Sequence, residues 1–190
     1  MDGWRRRLGA VVGMAVIAGV VLLGAGTASA AAIYAPVDRE QLDRYCRSEG
    51  FAQASLRTGN AYGWRCDGPS GGRPVDMDGV CQASNRTPTP RISRLTDFHN
   101  PYGGWECWNT ASSVPRAAVG ADGLAAYCRG EGYVGARLVD STAYGWRCTS
   151  SGSTAYISMR KVCQSILPGS VSLIDRVANY HDPYSWKCYQ

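Results

Sequence analysis

Cysteine and histidine are the side chains most apt to act as nucleophiles, metal ligands or proton carriers, and the chain holds eight of the first and two of the second. The cysteines are Cys46, Cys66, Cys81, Cys107, Cys128, Cys148, Cys163 and Cys188. A zinc site would need closely spaced pairs or several histidines, yet C-x-x-C never occurs and His99 and His181 stand alone. An even number of well-spaced cysteines reads instead as a disulfide framework formed in an oxidising compartment. The histidines precede Asn100-Pro101-Tyr102 and Asp182-Pro183-Tyr184, where each would serve in hydrogen bonding or proton transfer beside Asn100 or Asp182. A turn residue bonded to backbone ahead of the proline is the favoured alternative, because no partnered nucleophile accompanies them. G-x-S-x-G, H-E-x-x-H and the phosphate-binding glycine loop are all missing.

The cysteine spacings expose a duplication. They are 20, 15 and 26 in the first half and 20, 15 and 25 in the second. A shift of 82 positions aligns Leu42 to Tyr102 with Leu124 to Tyr184 without a gap. Tyr45-Cys46-Arg47 meets Tyr127-Cys128-Arg129, and Ala61-Tyr62-Gly63-Trp64-Arg65-Cys66 meets Ala143-Tyr144-Gly145-Trp146-Arg147-Cys148. After the loss of one residue, Trp105-Glu106-Cys107-Trp108 meets Trp186-Lys187-Cys188-Tyr189. The pattern Y-C-R-x-E-G, A-Y-G-W-R-C and D-P-Y-S-W-K-C resembles a cysteine-rich tandem repeat of secreted actinobacterial proteins. The likeness spans both copies, and the second is the closer match. In the first, His99-Asn100-Pro101-Tyr102-Gly103-Gly104-Trp105 departs by an Asn and an inserted residue. No activity, cofactor or catalytic residue carries over from the resemblance.

Elements that could position these residues are short. Asp38 caps an expected helix from Arg39 to about Ser48, with Leu42, Tyr45 and Cys46 on its buried stripe and Gly50 as the left-handed residue ending it. Leu124, Tyr127 and Cys128 repeat the scheme, with Asp122 as the candidate cap. Leu138-Val139 and Tyr144 to Cys148 read as strands joined by a polar turn at 140–142. A second short helix carries Cys81 and Cys163, and 171–178 suits a third, with Leu173, Ile174 and Val177 on one face. Each copy is expected to be a small, disulfide-stapled α+β domain of two or three short helices and a short antiparallel sheet.

Strand parity separates inside from outside. A half-cystine must face inward, so Tyr62, Trp64 and Cys66 share a face, and Trp64, Trp105, Trp146 and Trp186, each two positions before a cysteine, belong to the core. Arg65, Arg147, Glu106, Lys187, Trp108 and Tyr189 are left pointing outward. Three disulfide pairings per copy are possible without crossing between copies. The expected one is Cys46–Cys81 and Cys66–Cys107, with Cys128–Cys163 and Cys148–Cys188. At about 65 to 70 residues a copy has a marginal apolar core, and each staple should contribute on the order of 3 kcal/mol.

Arg5-Arg6-Arg7, the apolar run Leu8 to Ala25 and the small residues ending at Ala30 describe a signal peptide over 1–30, rather than a membrane anchor. The general secretory route is favoured over the twin-arginine one. Cleavage there lowers the formal net charge from +5 to +3, too little to argue for nucleic acid. The remaining chain divides into 31–108, a linker over 109–120 rich in small residues and proline, and 121–190. Asp76 and Asp78 lack the carboxylate pattern of a calcium loop, and Asn85-Arg86-Thr87 is a sequon relevant only in a glycosylating host.

No cofactor and no metal are expected. Aromatics form 10% of the chain, which invites a sugar-stacking reading. With four tryptophans assigned to the core, the candidate ligand contacts are Arg65, His99, Tyr102, Trp108, Arg147, His181, Asp182, Tyr184 and Tyr189. The expected function is that of a secreted, non-enzymatic binding module for an extracellular glycan or cell-envelope polymer, with no membrane span after cleavage. The alternatives are a protein-directed factor such as an enzyme inhibitor, with the loops 67–75 and 149–157 carrying specificity, and a hydrolase using His99 and His181.

Overall fold

A capping box opens the first helix: the Gln41 N–H donates to Asp38 Oδ1 at 2.8 Å, and the Asp38 N–H donates to Gln41 Oε1 at 2.9 Å. The computed structural model that shows this describes residues 33–69, 71–85 and 87–190, with 33–35 as backbone only. The expected signal peptide lies outside the described residues. Along the first copy run β1 (Ile33–Pro36), α1 (Arg39–Ser48), β2 (Gln53–Leu56), a 3-10 turn at Ala61–Gly63, β3 (Trp64–Gly68), β4 (Gly71–Pro74), α2 (Met77–Ala83), β5 (Arg91–Leu95) and β6 (Trp105–Asn109). The second copy repeats the order with β7 (Ala117–Ala118), α3 (Ala121–Gly130), β8 (Gly135–Leu138), β9 (Trp146–Ser150), β10 (Ser153–Tyr156), α4 (Met159–Ile166), β11 (Ile174–Val177) and β12 (Trp186–Tyr189). The fold is α+β, as expected.

Each copy has two three-stranded antiparallel sheets where one was anticipated. Their orders are β2-β3-β4 and β1-β6-β5 in the first copy, and β10-β9-β8 and β11-β12-β7 in the second. Leu42, Tyr45 and Cys46 are buried on α1, and Gly50 follows at φ +83°, the left-handed conformation a side chain disfavours. Asp122 does not cap α3: Gly120 holds the cap position, and Asp122 sits in the first turn, where its charge complements the helix dipole. The helix expected over 171–178 is instead β11. Leu173 and Val177 enter the main core while Ile174 enters a second cluster. A strand buried on both faces produces an apolar run that imitates a helical stripe. The stretch expected as a linker is largely tied down, since Asn109 ends β6 and β7 pairs with β12 as β1 pairs with β6.

The tryptophan assignment holds: Trp64, Trp105, Trp146 and Trp186 are all buried. Each indole N–H is satisfied by a carbonyl, Trp64 by Pro101 at 2.7 Å and Trp146 by Pro183 at 2.8 Å. Trp105 donates to Ala61 and Trp186 to Ala143, at 2.8 and 2.6 Å. Tyr62 falls in the 3-10 turn ahead of β3 and stays partly exposed.

The disulfide expectation is overturned. The bridges are Cys46–Cys66, Cys81–Cys107, Cys128–Cys148 and Cys163–Cys188, with Cα separations of 5.2 to 5.5 Å. Cys46–Cys81, Cys66–Cys107, Cys128–Cys163 and Cys148–Cys188 do not form. The reason is the second sheet: β3 and β6 belong to different sheets, and each helix is bonded to the central strand of the sheet it covers.

Trp108 and Tyr189 also depart from expectation. They are buried, and with Ile92 and Ile174 they form an apolar cluster between the copies. Parity did turn them away from their own cores, but the other copy covers them. Corresponding positions meet corresponding positions, the mark of a twofold contact: Phe98 stacks on Tyr180 with centroids 3.6 Å apart and planes 10° apart. Charges tie the same seam. Arg94 pairs with Asp175 at 3.0 Å, and Arg176 pairs with Asp78 at 2.5 Å.

Digestion without reductant should recover Cys46 linked to Cys66 and Cys163 linked to Cys188, and mass mapping reads this directly. Replacing Cys163 and Cys188 together by serine should lower unfolding free energy by about 3 kcal/mol, measured by denaturant titration. Ile174→Ala, which hollows the seam, should cost roughly 2 to 5 kcal/mol in the same assay.

Candidate functional site

The histidine turns are built by short side chains, not by the imidazoles. The Asn100 Oδ1 accepts from the N–H groups of Tyr102 and Gly103 at 3.1 and 3.0 Å, and Asp182 Oδ1 accepts from the Tyr184 N–H at 2.9 Å. The His99 and His181 backbone N–H groups donate to Asp97 and Asn179. Both imidazoles are exposed and lie edge-on to aromatic rings, His99 to Phe98 at 5.1 Å and His181 to Tyr180 at 5.1 Å. Tyr102 and Tyr184 are exposed beside these turns, each edge-on to a buried tryptophan, Trp64 or Trp146.

Arg65 and Arg147 are half-buried. Arg65 donates to the Gly72 carbonyl across the β3–β4 hairpin. Arg147 donates to the carbonyls of Tyr144 and Trp146 at 2.6 and 2.8 Å, and its guanidinium lies 3.9 Å from the Tyr156 ring centroid. The candidate contacts are therefore dispersed. His99, Tyr102, His181, Asp182 and Tyr184 sit at the turns, Trp108 and Tyr189 lie in the seam, and Arg147 stands at the mouth of a pocket.

That pocket encloses about 520 Å³. Tyr144, Trp146, Tyr156 and Trp186 line it together with Arg94, Arg147, Arg160, Asp140 and Asp175. Since Arg94 belongs to the first copy, the site exists only where the copies meet. A counterpart of about 170 Å³ occupies the same place in the first copy, lined by Tyr62, Trp64, Trp105, Pro74, Asp76, Asp78 and, from the second copy, Arg176. The two hollows are one site made twice.

Their contents differ. In the first copy Asp76 caps α2, accepting from the Asp78 N–H at 3.1 Å. Asp78 accepts from the N–H and hydroxyl of Ser93 and bridges to Arg176. Both carboxylates are thus engaged in holding α2 and the seam. In the second copy position 160 is arginine, so Arg94 and Arg160 both turn toward Asp175, at 3.0 and 3.6 Å. Arg94 also lies 3.7 Å from Glu106. Tyr156 replaces Pro74 at the rim and is 82% exposed, leaving one ring face to solvent while Arg147 covers the other.

Local chemistry tunes two further groups. Asp140 is held below its usual range by hydrogen bonds from the Thr142 hydroxyl and N–H, with Arg147 adding to the effect. Burial pushes the Tyr144 phenol well above its usual range against the opposing charge of Arg94, and its hydroxyl donates to the Leu95 carbonyl at 3.0 Å. Tyr156, Arg160 and Arg94 were absent from the sequence-derived candidates. The signal for the first two was the divergence between copies at fixed positions, Pro74 against Tyr156 and Asp78 against Arg160.

Among the described residues, no group of histidine, cysteine or acidic side chains is arranged to hold a metal, and no helix is long and apolar enough to cross a membrane. Comparison with protein-family models, curated proteins and solved structures returned no match to the chain.

A neutral phenol favoured by folding stabilises the protein fully below the ordinary tyrosine value of 10.0. That contribution is lost as pH climbs toward the raised folded value. Thermal melts between pH 8 and 11 should therefore show a shallower alkaline decline for Tyr144→Phe than for the parent. An unchanged slope would mean the phenol is not protected by the seam.

Proposed function

We propose that the chain is an exported, non-enzymatic binding module whose ligand is an extracellular glycan or cell-envelope polymer. The observation that carries this reading is the pocket of about 520 Å³, walled by Tyr144, Trp146 and Trp186 and ending at the exposed ring of Tyr156. A flat ring with one free face beside hydrogen-bonding arginine and aspartate side chains suits a sugar, whose C–H face packs on the ring while its hydroxyls meet polar groups. Rigidity supports the same reading, because disulfides on both sides of the pocket spare the ligand the cost of ordering the wall. The imidazoles argue against the hydrolase alternative, being aimed at rings and not at a hydroxyl or thiol nucleophile. Four disulfides fit an oxidising compartment.

The oxidised protein should be retained by purified cell wall and by a subset of an immobilised glycan array. Tyr156→Ala should weaken that retention roughly threefold to tenfold, the range expected for a single ring contact. Absence of retention on every polymer, with one stoichiometric protein co-purifying from culture medium, would replace this reading with the protein-directed one.

A further inference from the structure

The duplicated hollow has become two different objects. If both copies bound ligand, their pockets should keep like chemistry at like positions, and they do not. In the first copy the hollow is spanned from within: Arg176 reaches Asp78 at 2.5 Å and the Tyr189 hydroxyl at 3.2 Å, while Asp78 is held by Ser93. What remains is about 170 Å³, rimmed by Pro74, which offers no aromatic platform.

In the second copy the two positions that would form that internal pair are both arginine, Arg94 and Arg160. They cannot neutralise each other. Asp175, buried and shared between them, holds Arg94 through Nη2 to both carboxylate oxygens at 3.2 and 3.0 Å. Arg160 keeps a longer approach of 3.6 Å, its guanidinium lies 5.0 Å from the Trp108 ring centroid, and its side chain is 42% exposed. Arg147 adds a third cation to the lining, its guanidinium 3.9 Å from the Tyr156 ring centroid. The lining thus carries three guanidinium groups against the two carboxylates of Asp140 and Asp175. The excess sits at the open rim, next to the exposed ring.

We propose that the second copy's pocket is the single ligand site of the chain and that it takes a sugar unit bearing a carboxylate or a phosphate. Tyr156 supplies the stacking face, and Arg160 with Arg147 meets the anion. The first copy's hollow is a structural joint that holds the seam closed. This rests on the binding-module reading and narrows it in two respects: the ligand is anionic, and one binds per chain instead of two. Guanidinium suits the task because its planar fork of donors matches carboxylate and phosphate oxygens.

Calorimetric titration tests both points, using the intact oxidised protein with a galacturonate oligosaccharide, glucose 6-phosphate, a neutral galactose oligosaccharide of equal length, and inorganic phosphate alone. One acidic saccharide per chain should bind, more tightly than the neutral one, with an affinity that falls as salt rises. Preference for galacturonate or for the sugar phosphate distinguishes the two sources of charge. Arg160→Ser should lose about tenfold in affinity for the acidic saccharide, while Arg160→Lys keeps most of it. Near-ultraviolet circular dichroism of the buried tryptophans verifies that both variants are folded. Two sites per chain, equal affinity for the neutral oligosaccharide with no effect of Arg160→Ser, or binding of phosphate alone as tight as the sugar phosphate would each overturn the inference and leave the broader binding reading standing. No heat with any saccharide, joined to no retention on cell wall, would remove both.

Discussion

Everything in this molecule depends on a cross-link from each helix to the middle strand of the sheet beneath it. Cys66, Cys107, Cys148 and Cys188 all lie on central strands, and Cys46, Cys81, Cys128 and Cys163 on the helices that cover them. Sheets of three strands with two to five residues per strand bury too little to hold a helix firmly. The bond to the centre removes that weakness and sets strand parity at once. With the sulfur inward, the tryptophan two positions earlier is inward as well, and its N–H then dictates where a carbonyl must lie. Trp64 and Trp146 take the carbonyls of Pro101 and Pro183, so the histidine turns are consequences of the cross-links.

The same parity explains why the chain needs two copies. Once Cys107 and Cys188 face in, Trp108 and Tyr189 must face out, and so must Ile92 and Ile174 on the neighbouring strands. A lone copy would expose a bulky apolar patch on its second sheet, the kind of surface that marks an interaction site. Placing a second copy across a twofold buries both patches against each other. The seam is therefore obligatory, whereas the hollows it creates on either side are not, and the sequence was free to change there.

How much of this the sequence displayed follows from which interactions are local. The cap at Asp38, the buried stripe Leu42-Tyr45-Cys46 and the turn at Gly50 involve neighbours, and all three were legible; the reciprocal bond to Gln41 that completes the capping box was not. The four buried tryptophans were legible too, because parity acts over two residues. Ala117–Ala118 was not, since two alanines form a strand only because β12 offers an edge. Val171 to Ala178 misled because burial by a distant copy adds apolar residues that no local period predicts. The bridge pattern failed for a similar reason: one sheet per copy puts the two W-x-C strands side by side, and two sheets put them apart. Of the pocket, Arg147 was visible as an outward arginine, while Arg94 and Arg160 acquire meaning only when the other half is in place.

Duplication also resolves why asymmetry at the two hollows is tolerated. In a seam of two identical halves, whatever side chain lines one hollow also lines the other, so the two hollows must be built alike. Within one chain the halves can exchange roles. The first copy carries a carboxylate on α2 and a hydroxyl on β5, Asp78 and Ser93, and the second carries a guanidinium on α4 and a carboxylate on β11, Arg160 and Asp175. Each hollow still has one short cross-copy pair, Arg176–Asp78 and Arg94–Asp175. The carboxylate has moved from helix to strand, so the pair that blocks the first hollow sits against the floor of the second. Closing one hollow while leaving the other open requires that exchange, which an unlinked pair of identical chains could not make.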